Sequence, residues 1–188
     1  MAEYLFTITD KDIFETPEPI LQTLHIRFAA RGIVINDQGQ IAILHKVKKN
    51  EYKLPGGGLE HLETPLEAFR REVMEETGCL IKNVEEIGVV EEIKTHTKFR
   101  QLSTVYVSRV KKDMKFTKYS KQEIDEGSET IWMSPRDAVK VIGESIDRLK
   151  ASEYDSLYQS KFVVQRDKKI IEYFIEHRIS DSQRKYGY

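Results

Sequence analysis

The stretch GGLEHLETPLEAFRREVMEETGCL constrains the fold of this chain more than any other part of it. Thr64 is a favourable helix N-cap, Pro65 suits the first helical position, and Glu67 completes a capping box with Thr64. Gly78 stands where helices commonly end, because glycine adopts the left-handed backbone conformation without strain. The stretch therefore predicts a helix over residues 65–77, preceded by a glycine-rich turn.

The predicted helix has two neighbouring stripes of different chemistry. One stripe is expected to face the core. Its members are Leu66, Phe69, Val73 and Thr77. The adjacent stripe carries Glu72, Glu75 and Glu76, whose like charges repel one another at this spacing. Arg71 can neutralise part of this charge. A hard divalent cation would neutralise more, because Mg²⁺ prefers carboxylate and carbonyl oxygens.

The glycine run LPGGG, at residues 54–58, adds backbone groups to this candidate site. Glycine lets the chain bend tightly and exposes carbonyl groups, one of which can reach the same cation. Glu63 precedes the N-cap and is expected to point toward the first helical turn. A glutamate-rich helix alone is usually a solvated face, and a glycine run alone is usually a loop. Together they indicate a cradle of four glutamates that suits an anionic substrate bridged by metal.

The same stretch matches a known motif at every defined position. The motif is G-x5-E-x7-R-E-U-x-E-E-x-G-U, in which U is an apolar residue. The matching residues are Gly57, Glu63, Arg71, Glu72, Val73, Glu75, Glu76, Gly78 and Cys79. In this pattern the chain resembles the Nudix hydrolases. One departure is Leu62, which stands where many members of that family have glycine.

The resemblance implies both a fold and an activity. The fold is an α+β domain, an α/β/α sandwich around a mixed β-sheet. The activity is hydrolysis of a nucleoside diphosphate linked to another group, with Mg²⁺ or Mn²⁺ as cofactor. The implied metal ligands are the carbonyl of Gly56 and the carboxylates of Glu72, Glu75 and Glu76. Arg71 is the residue that the resemblance implies orients these carboxylates.

The resemblance also implies one further acidic residue, contributed by the loop before the last strand. Within QEIDEGSETIWMS we favour Glu126, with Glu123 and Glu129 as alternatives. Glu72 is the first candidate for the general base that takes a proton from water, and Glu126 is the second. Glu63 more plausibly braces the loop or pairs with the motif arginine.

Substrate contacts outside the motif are less strongly indicated. Arg27 and Arg31 precede the motif and are candidates to contact phosphate, although each also suits a solvated or paired position. A nucleobase would stack on an aromatic side chain. The candidates are Phe28, Tyr52 and Phe99. The lysine-rich stretch at residues 46–53 reads as a solvated loop, although beside the glycines it can attract phosphate.

The rest of the chain predicts strands first and few helices, as in a layered α+β domain. Two strands, 32–36 and 40–46, flank an NDQG turn. Further strands are predicted in VEEIGVVEEIK, FRQLSTVYVSRV and ETIWMS. A helix begins after Ser134, and a final amphipathic helix covers residues 167–177.

These patterns suggest three parts. We expect an N-terminal arm at residues 1–20, a hydrolase domain at 21–152, and a C-terminal helical extension at 153–188 that packs on the same domain. The extension exceeds the minimal fold and is a candidate homodimer contact. An alternative function is a nucleotide-binding sensor or regulator of the same fold with weak catalysis, although such domains usually have lost the glutamates that are intact here.

Composition and charge narrow the class of partner. The chain has 30 basic and 31 acidic residues in 188 and a net charge of −1, so no basic field favours a nucleic-acid polymer or a membrane surface. A single cysteine, Cys79, excludes an internal disulfide. No segment approaches the roughly 18 apolar residues of a membrane span, and no leader peptide is recognisable. We therefore expect a soluble, cytoplasmic protein that acts on a small nucleotide.

Overall fold

A mixed β-sheet organises the chain, and the computed structural model describes it over residues 3–15 and 24–179. The described strands are β1 (Tyr4–Thr9), β2 (His25–Ile35), β3 (Ile41–Lys46), β4 (Glu51–Lys53), β5 (Gly56–Gly58), β6 (Cys79–Lys94), β7 (Phe99–Asp113) and β8 (Ser128–Met133). The α-helices are α1 (Asp10–Phe14), α2 (Pro65–Thr77), α3 (Lys121–Glu126), α4 (Pro135–Ser145) and α5 (Leu157–Phe174). Short 3₁₀ helices lie at Val47–Lys49 and Ile146–Arg148, and a π-helical turn at Ile175–Ile179 follows α5.

The sheet order is β1-β6-β7-β2-β3-β4, with β5 paired to β2 and β8 paired to β3. The β1/β6 and β2/β7 pairs are parallel, and the others are antiparallel. Strand β2 is central. It pairs with β7 along its whole length, and its other edge pairs with the glycines of β5. The glycine run is therefore part of the sheet and not a free loop.

Alternate residues of β2 pack into two different cores, because successive side chains of a strand point to opposite faces. Ala30 and Val34 belong to a core with Phe69 of α2. Ile33 belongs to a second core with Ile142 and other residues of α4 and α5. Helix α2 covers one face of the sheet and α4 with α5 covers the other, which confirms the predicted α/β/α sandwich.

Helix α2 lies where its capping pattern predicts it. Thr64 Oγ1 accepts a hydrogen bond from the Glu67 amide at 3.3 Å, and Glu67 Oε2 accepts one from the Thr64 amide at 2.9 Å. Gly78 ends the helix with φ 69°. One detail of the prediction is wrong. Leu66 is 37% exposed, because it lies in the first turn beyond the edge of the core.

Of three other predicted features, one is confirmed and two differ in the structure. The NDQG turn is confirmed, with Gly39 at φ 75°. The segment before the last strand is the short helix α3 and not a loop, because Ser120 caps it and Gly127 ends it. The last helix begins ten residues before the predicted start at Asp167, because Ser156 caps α5.

The three-part division of the chain stays a prediction. Residues 16–20, which we expect to separate the arm from the body, lie outside the described residues. Strand β1 forms an edge of the sheet by pairing with β6, and α5 packs against α4. No helix in the described part of the chain is long and apolar enough to cross a membrane.

Candidate active site

Arg71 on α2 holds three glutamates and the glycine strand together. Its Nε and Nη2 atoms donate hydrogen bonds to the two carboxylate oxygens of Glu63, each at 2.9 Å. Nη1 donates to Glu72 Oε1 at 2.8 Å and to Glu75 Oε2 at 3.3 Å, and Nη2 also donates to the carbonyl of Gly58 at 3.1 Å. The hydrogen bonds with Glu63 raise the pKa of Arg71, and those same bonds lower the pKa of Glu63.

Glu76 is buried and pairs with Lys53 of β4. Its Oε1 lies 2.7 Å from Lys53 Nζ, and its Oε2 accepts a hydrogen bond from the Gly56 amide at 2.8 Å. Burial raises the pKa of Glu76 to about 7, a shift that the charge of Lys53 opposes and that of Glu72 reinforces. Lys53 Nζ also donates to the Gly56 carbonyl at 3.4 Å. An ammonium group therefore contacts both a carboxylate and a carbonyl that the resemblance assigns to a metal.

Strand β5 approaches its neighbours closely because it consists of glycines. A Cβ at Gly57 would collide with the carboxylate of Glu72, and a Cβ at Gly58 would collide with the guanidinium of Arg27. Gly56 has φ 142°, a conformation that other residues rarely adopt, and a Cβ there would collide with the backbone of β2. The glycines thus let a carboxylate and a guanidinium lie directly on the backbone.

These groups line a cavity of about 490 Å³, which we call the glutamate cavity. Acidic residues on its wall are Glu60, Glu72, Glu75, Glu76 and Glu123. Lys118 and Tyr119, which precede α3, also line this cavity. Glu72, Glu75 and Glu76, which the sequence predicts on one stripe of the helix, therefore line one cavity together with the glycine strand β5.

The structure places Glu123, and not Glu126, on this wall. The charge of Lys53 lowers the pKa of Glu123, although burial acts in the opposite direction. Glu126 turns away, with its Oε2 at 2.7 Å from Lys46 Nζ and its Oε1 accepting a hydrogen bond from the Ser152 hydroxyl at 2.6 Å. Glu123 lies in the first turn of α3 and Glu126 is its last residue, about one turn further along the axis, so the two carboxylates meet different neighbours.

The remaining acidic and aromatic candidates lie elsewhere. Glu129 is exposed and pairs with His45 Nδ1 at 3.0 Å. Tyr52 stacks on the ring of His45 with the ring centroids 4.1 Å apart. Phe28 is 57% exposed on β2. None of the three lines the glutamate cavity.

The oxygen atoms around the glutamate cavity are of the kind that Mg²⁺ and Mn²⁺ take as ligands. The carboxylates of Glu72, Glu75 and Glu76 are instead paired with Arg71 and Lys53. Within residues 3–15 and 24–179, no three His, Cys, Asp or Glu side chains converge as a ready-made metal site. The donor chemistry fits a divalent cation, and binding would require these carboxylates to exchange an ion pair for a metal bond.

A second cavity of about 380 Å³ adjoins the first across β5, and we call it the basic cavity. Its cationic lining residues are Arg27, Arg31, Lys46, Lys53, Lys94 and Arg166. Lys53 and Gly56–Gly58 line both cavities. The two arginines expected to contact phosphate therefore lie together, on one face of β2, because residues four apart in a strand point the same way. Phe99 also lines this cavity.

Two contributors to the site, Lys53 and Arg166, are not singled out by any sequence motif. The prediction that residues 46–53 form a solvated loop is wrong, because Lys46 is 6% and Lys49 1% exposed, each in a buried ion pair; Lys48 is the exposed lysine of this stretch. Lys53 directly precedes LPGGG, and this adjacency is the sequence feature that indicates its place in the site. Arg166 comes from α5, and nothing in its local sequence distinguishes it from a surface residue of an amphipathic helix.

Comparison with known proteins identifies the family of this chain. The NUDIX domain family model matches residues 25–155, and the chain belongs to that family. The RNA pyrophosphohydrolase of Stenotrophomonas maltophilia (strain K279a) is 43% identical over 58 residues, which are 30% of this chain and 28% of that protein. The RNA pyrophosphohydrolase of Xanthomonas campestris pv. campestris (strain B100) is 41% identical over 58 residues, again 30% and 28% of the two chains. The chain thus spans little more than a quarter of the length of these curated relatives.

A crystal structure of MutT NUDIX hydrolase from Burkholderia pseudomallei is also similar. It aligns with a TM-score of 0.49 and 20% identity, covering 60% of this chain and 85% of that chain.

Proposed function

We propose that this protein is a pyrophosphohydrolase that cleaves a phosphoanhydride bond in a nucleoside diphosphate derivative, with Mg²⁺ or Mn²⁺ as cofactor and water as nucleophile. Membership of the NUDIX domain family supports this proposal, as does the partial similarity to proteins named RNA pyrophosphohydrolase. The observation that carries it is the glutamate cavity, where Glu72, Glu75 and Glu76 share one wall beside Gly56.

Each motif residue has a role in this proposal. The carbonyl of Gly56 and the three glutamates would hold the metal, which when bound neutralises charge on the phosphoryl oxygens. Arg71 keeps Glu72 and Glu75 oriented through its two hydrogen bonds from Nη1. Glu63 holds Arg71 in turn, by accepting from both Nε and Nη2.

The attacking water needs a base within hydrogen-bonding reach. Glu72 remains the first candidate, because its carboxylate lies on the backbone of Gly57 at the cavity wall. Glu123 replaces Glu126 as the second candidate, because Glu123 lines the cavity whereas Glu126 is paired with Lys46. Either carboxylate would accept one proton from the attacking water. The water oxygen bonds to phosphorus as the bond from phosphorus to the leaving phosphate breaks.

The test is a screen of phosphoanhydride substrates with Mg²⁺ or Mn²⁺, with products identified by mass spectrometry. The panel contains nucleoside triphosphates, nucleotide sugars, dinucleotides and RNA with a 5′-triphosphate. We expect at least one substrate to yield phosphorylated products, and excess chelator or Glu75→Gln to abolish them. Glu144→Gln is the matched control, since Glu144 is an exposed glutamate on α4.

Two outcomes of this screen would contradict the proposal. One is full turnover in excess chelator. The other is nucleotide binding without any product in the presence of either cation, which would favour a sensor or regulator of the same fold.

A further inference from the structure

We infer that the basic cavity is a subsite for a phosphate monoester, so that the substrate carries a phosphoryl group in addition to the diphosphate that is cleaved. The place of this group in a substrate rests on the proposed function, whereas its binding does not. The cavity volume of about 380 Å³ lies within the roughly 300–1,000 Å³ range of small-molecule pockets.

The lining of the basic cavity carries an excess of positive charge. Six cations line it, against the carboxylates of Glu51 and Asp155. Lys46 has Glu126 as a partner outside the lining, at 2.7 Å, and Lys53 has Glu76 at the same distance. The remaining four cations are Arg27, Arg31, Lys94 and Arg166.

A buried ionic chain between α5 and the sheet neutralises two of these four. Arg166 Nη1 lies 2.9 Å from Glu92 Oε2, and Arg166 Nε donates to Asp167 Oδ1 at 2.7 Å. Lys94 Nζ lies 3.0 Å from Glu92 Oε1. Asp167 Oδ2 is occupied by the amide of Leu54, which donates to it at 2.8 Å. Glu92 and Asp167 thus already balance Arg166 and Lys94.

Arg31 and Arg27 are the cations that lack a close counter-charge. The side chain of Arg31 is 5% exposed, its Nη1 is 3.9 Å from the already paired Asp167, and its Nε has no hydrogen-bond partner. Among the described residues, no carboxylate lies within ion-pair distance of Arg27, whose guanidinium rests on Gly58. Only Arg31 is buried; a buried charge whose one ion pair is long and shared costs free energy, and an incoming anion would offset that cost. Arg27 is exposed, so it can reach the same anion without a burial cost.

The chemistry of the lining favours phosphate over a nucleobase. Two guanidinium groups on one strand face offer several N–H donors in the fork geometry that suits phosphate oxygens. Phe99 is the aromatic residue among the described lining residues, and Lys94 Nζ lies over its ring, 5.7 Å from the centroid. Its stacking face is therefore shared with a cation, which suits an anion better than a base.

The position of the basic cavity ties it to the glutamate cavity. Arg27, Lys53 and Gly56–Gly58 line both spaces. A diphosphate held at the glutamates would extend across β5 and place its next charged group beside Arg27 and Arg31. Helix α5, all of which lies beyond the family match at residues 25–155, contributes Gln159 and Arg166 to the lining of the basic cavity.

The experiment measures binding without turnover, by isothermal titration calorimetry in excess chelator. The probes are ribose 5-phosphate, inorganic phosphate and uncharged ribose. We expect ribose 5-phosphate to bind and ribose not to bind. Arg27→Met and Arg31→Lys should each weaken ribose 5-phosphate about tenfold or more, because a charge-assisted hydrogen bond is lost or misplaced. The matched control is Arg136→Met, an exposed arginine at the start of α4, which should bind like the wild type.

Three results would overturn the inference. Ribose 5-phosphate could fail to bind, or could bind Arg27→Met and Arg31→Lys as tightly as it binds Arg136→Met. Binding of inorganic phosphate alone would indicate a free-phosphate site and not a monoester subsite. Glu75→Gln separates this inference from the proposed function, since it should lose turnover and keep ribose 5-phosphate binding. If Glu75→Gln keeps full turnover instead, the proposed mechanism fails while the binding result still stands.

Discussion

Lys53 Nζ lies 2.7 Å from Glu76 Oε1, in a position where neither group is appreciably exposed to solvent. The carboxylate is tied on its other side to the amide of Gly56 at 2.8 Å. Strand β4, strand β5 and helix α2 are thereby joined at one carboxyl group. A divalent cation that takes Glu76 as a ligand must compete with this ammonium, so ion binding and the local packing are coupled.

Metal ions should stabilise the folded protein at neutral pH. Binding to the native state alone raises the free energy of unfolding, by about 2.7 kcal/mol at a ligand concentration a hundred times the Kd. We expect millimolar Mg²⁺ or Mn²⁺ to raise the Tm at pH 7.5 and to have less effect at pH 5, because protonated carboxylates cannot ligate. Differential scanning fluorimetry of the wild type and Glu75→Gln tests this. An equal rise in Tm for the two proteins would place the ion elsewhere.

Glu76 should make the metal-free protein less stable as the pH rises. Burial raises the pKa of Glu76 from 4.5 to about 7, so the native state binds this proton more tightly than the unfolded chain. The contribution to stability is present below pH 4.5 and is lost as the pH passes through about 7. In chelator, the wild type should lose more Tm between pH 5 and pH 8 than Glu76→Gln does. Parallel Tm profiles for the two proteins would show that Glu76 does not carry this dependence.

Glu72 should contribute more to turnover than Glu63. Removing a base costs about 10²–10⁴-fold in rate, whereas weakening a group that only orients a ligand costs about 10–100-fold. Glu63 contacts Arg71 and not the cavity wall, so Glu63→Gln should be the milder change. The measurement is kcat at saturating metal, with folding checked by circular dichroism. A lower kcat for Glu63→Gln than for Glu72→Gln would reverse the two roles.

Glu123 and Glu126 should separate activity from stability. Glu123→Gln is expected to lower kcat, because its carboxylate lines the glutamate cavity. Glu126→Gln is expected to lower the free energy of unfolding by about 1–3 kcal/mol, because it weakens the buried pair with Lys46. Urea denaturation and steady-state kinetics on both variants test this. If kcat falls further in Glu126→Gln than in Glu123→Gln, Glu126 has a role in turnover that its position does not explain.

Gly57→Ala should damage catalysis more than folding. The new Cβ would collide with the flexible end of Glu72, which can move, so the carboxylate leaves its place on the backbone. Displacement of a reacting group by about 1 Å can cost about 10²-fold in rate. Gly143→Ala is the matched control, since the nearest atom to its Cβ is Lys168 Cε at an ordinary 3.5 Å. A kcat for Gly57→Ala equal to that of Gly143→Ala would show that this close approach is unimportant.

Local sequence determined the helix at the centre of this site. The capping box between Thr64 and Glu67 and the αL glycine at Gly78 act through residues three or four apart, and these distances are visible in the chain itself. The spacing of Glu72, Glu75 and Glu76 on that helix is likewise a property of the 3.6-residue turn. The fold class and the family followed from the same residues.

Tertiary structure alone decided which other groups meet those glutamates. Glu123 and Glu126 are equivalent by sequence, and only the docking of α3 turns one to the cavity and the other to Lys46. Arg166 reaches the basic cavity from α5, far along the chain from Arg31. Such contacts form between elements that are far apart in the sequence. Local sequence patterns do not determine how those elements pack against one another.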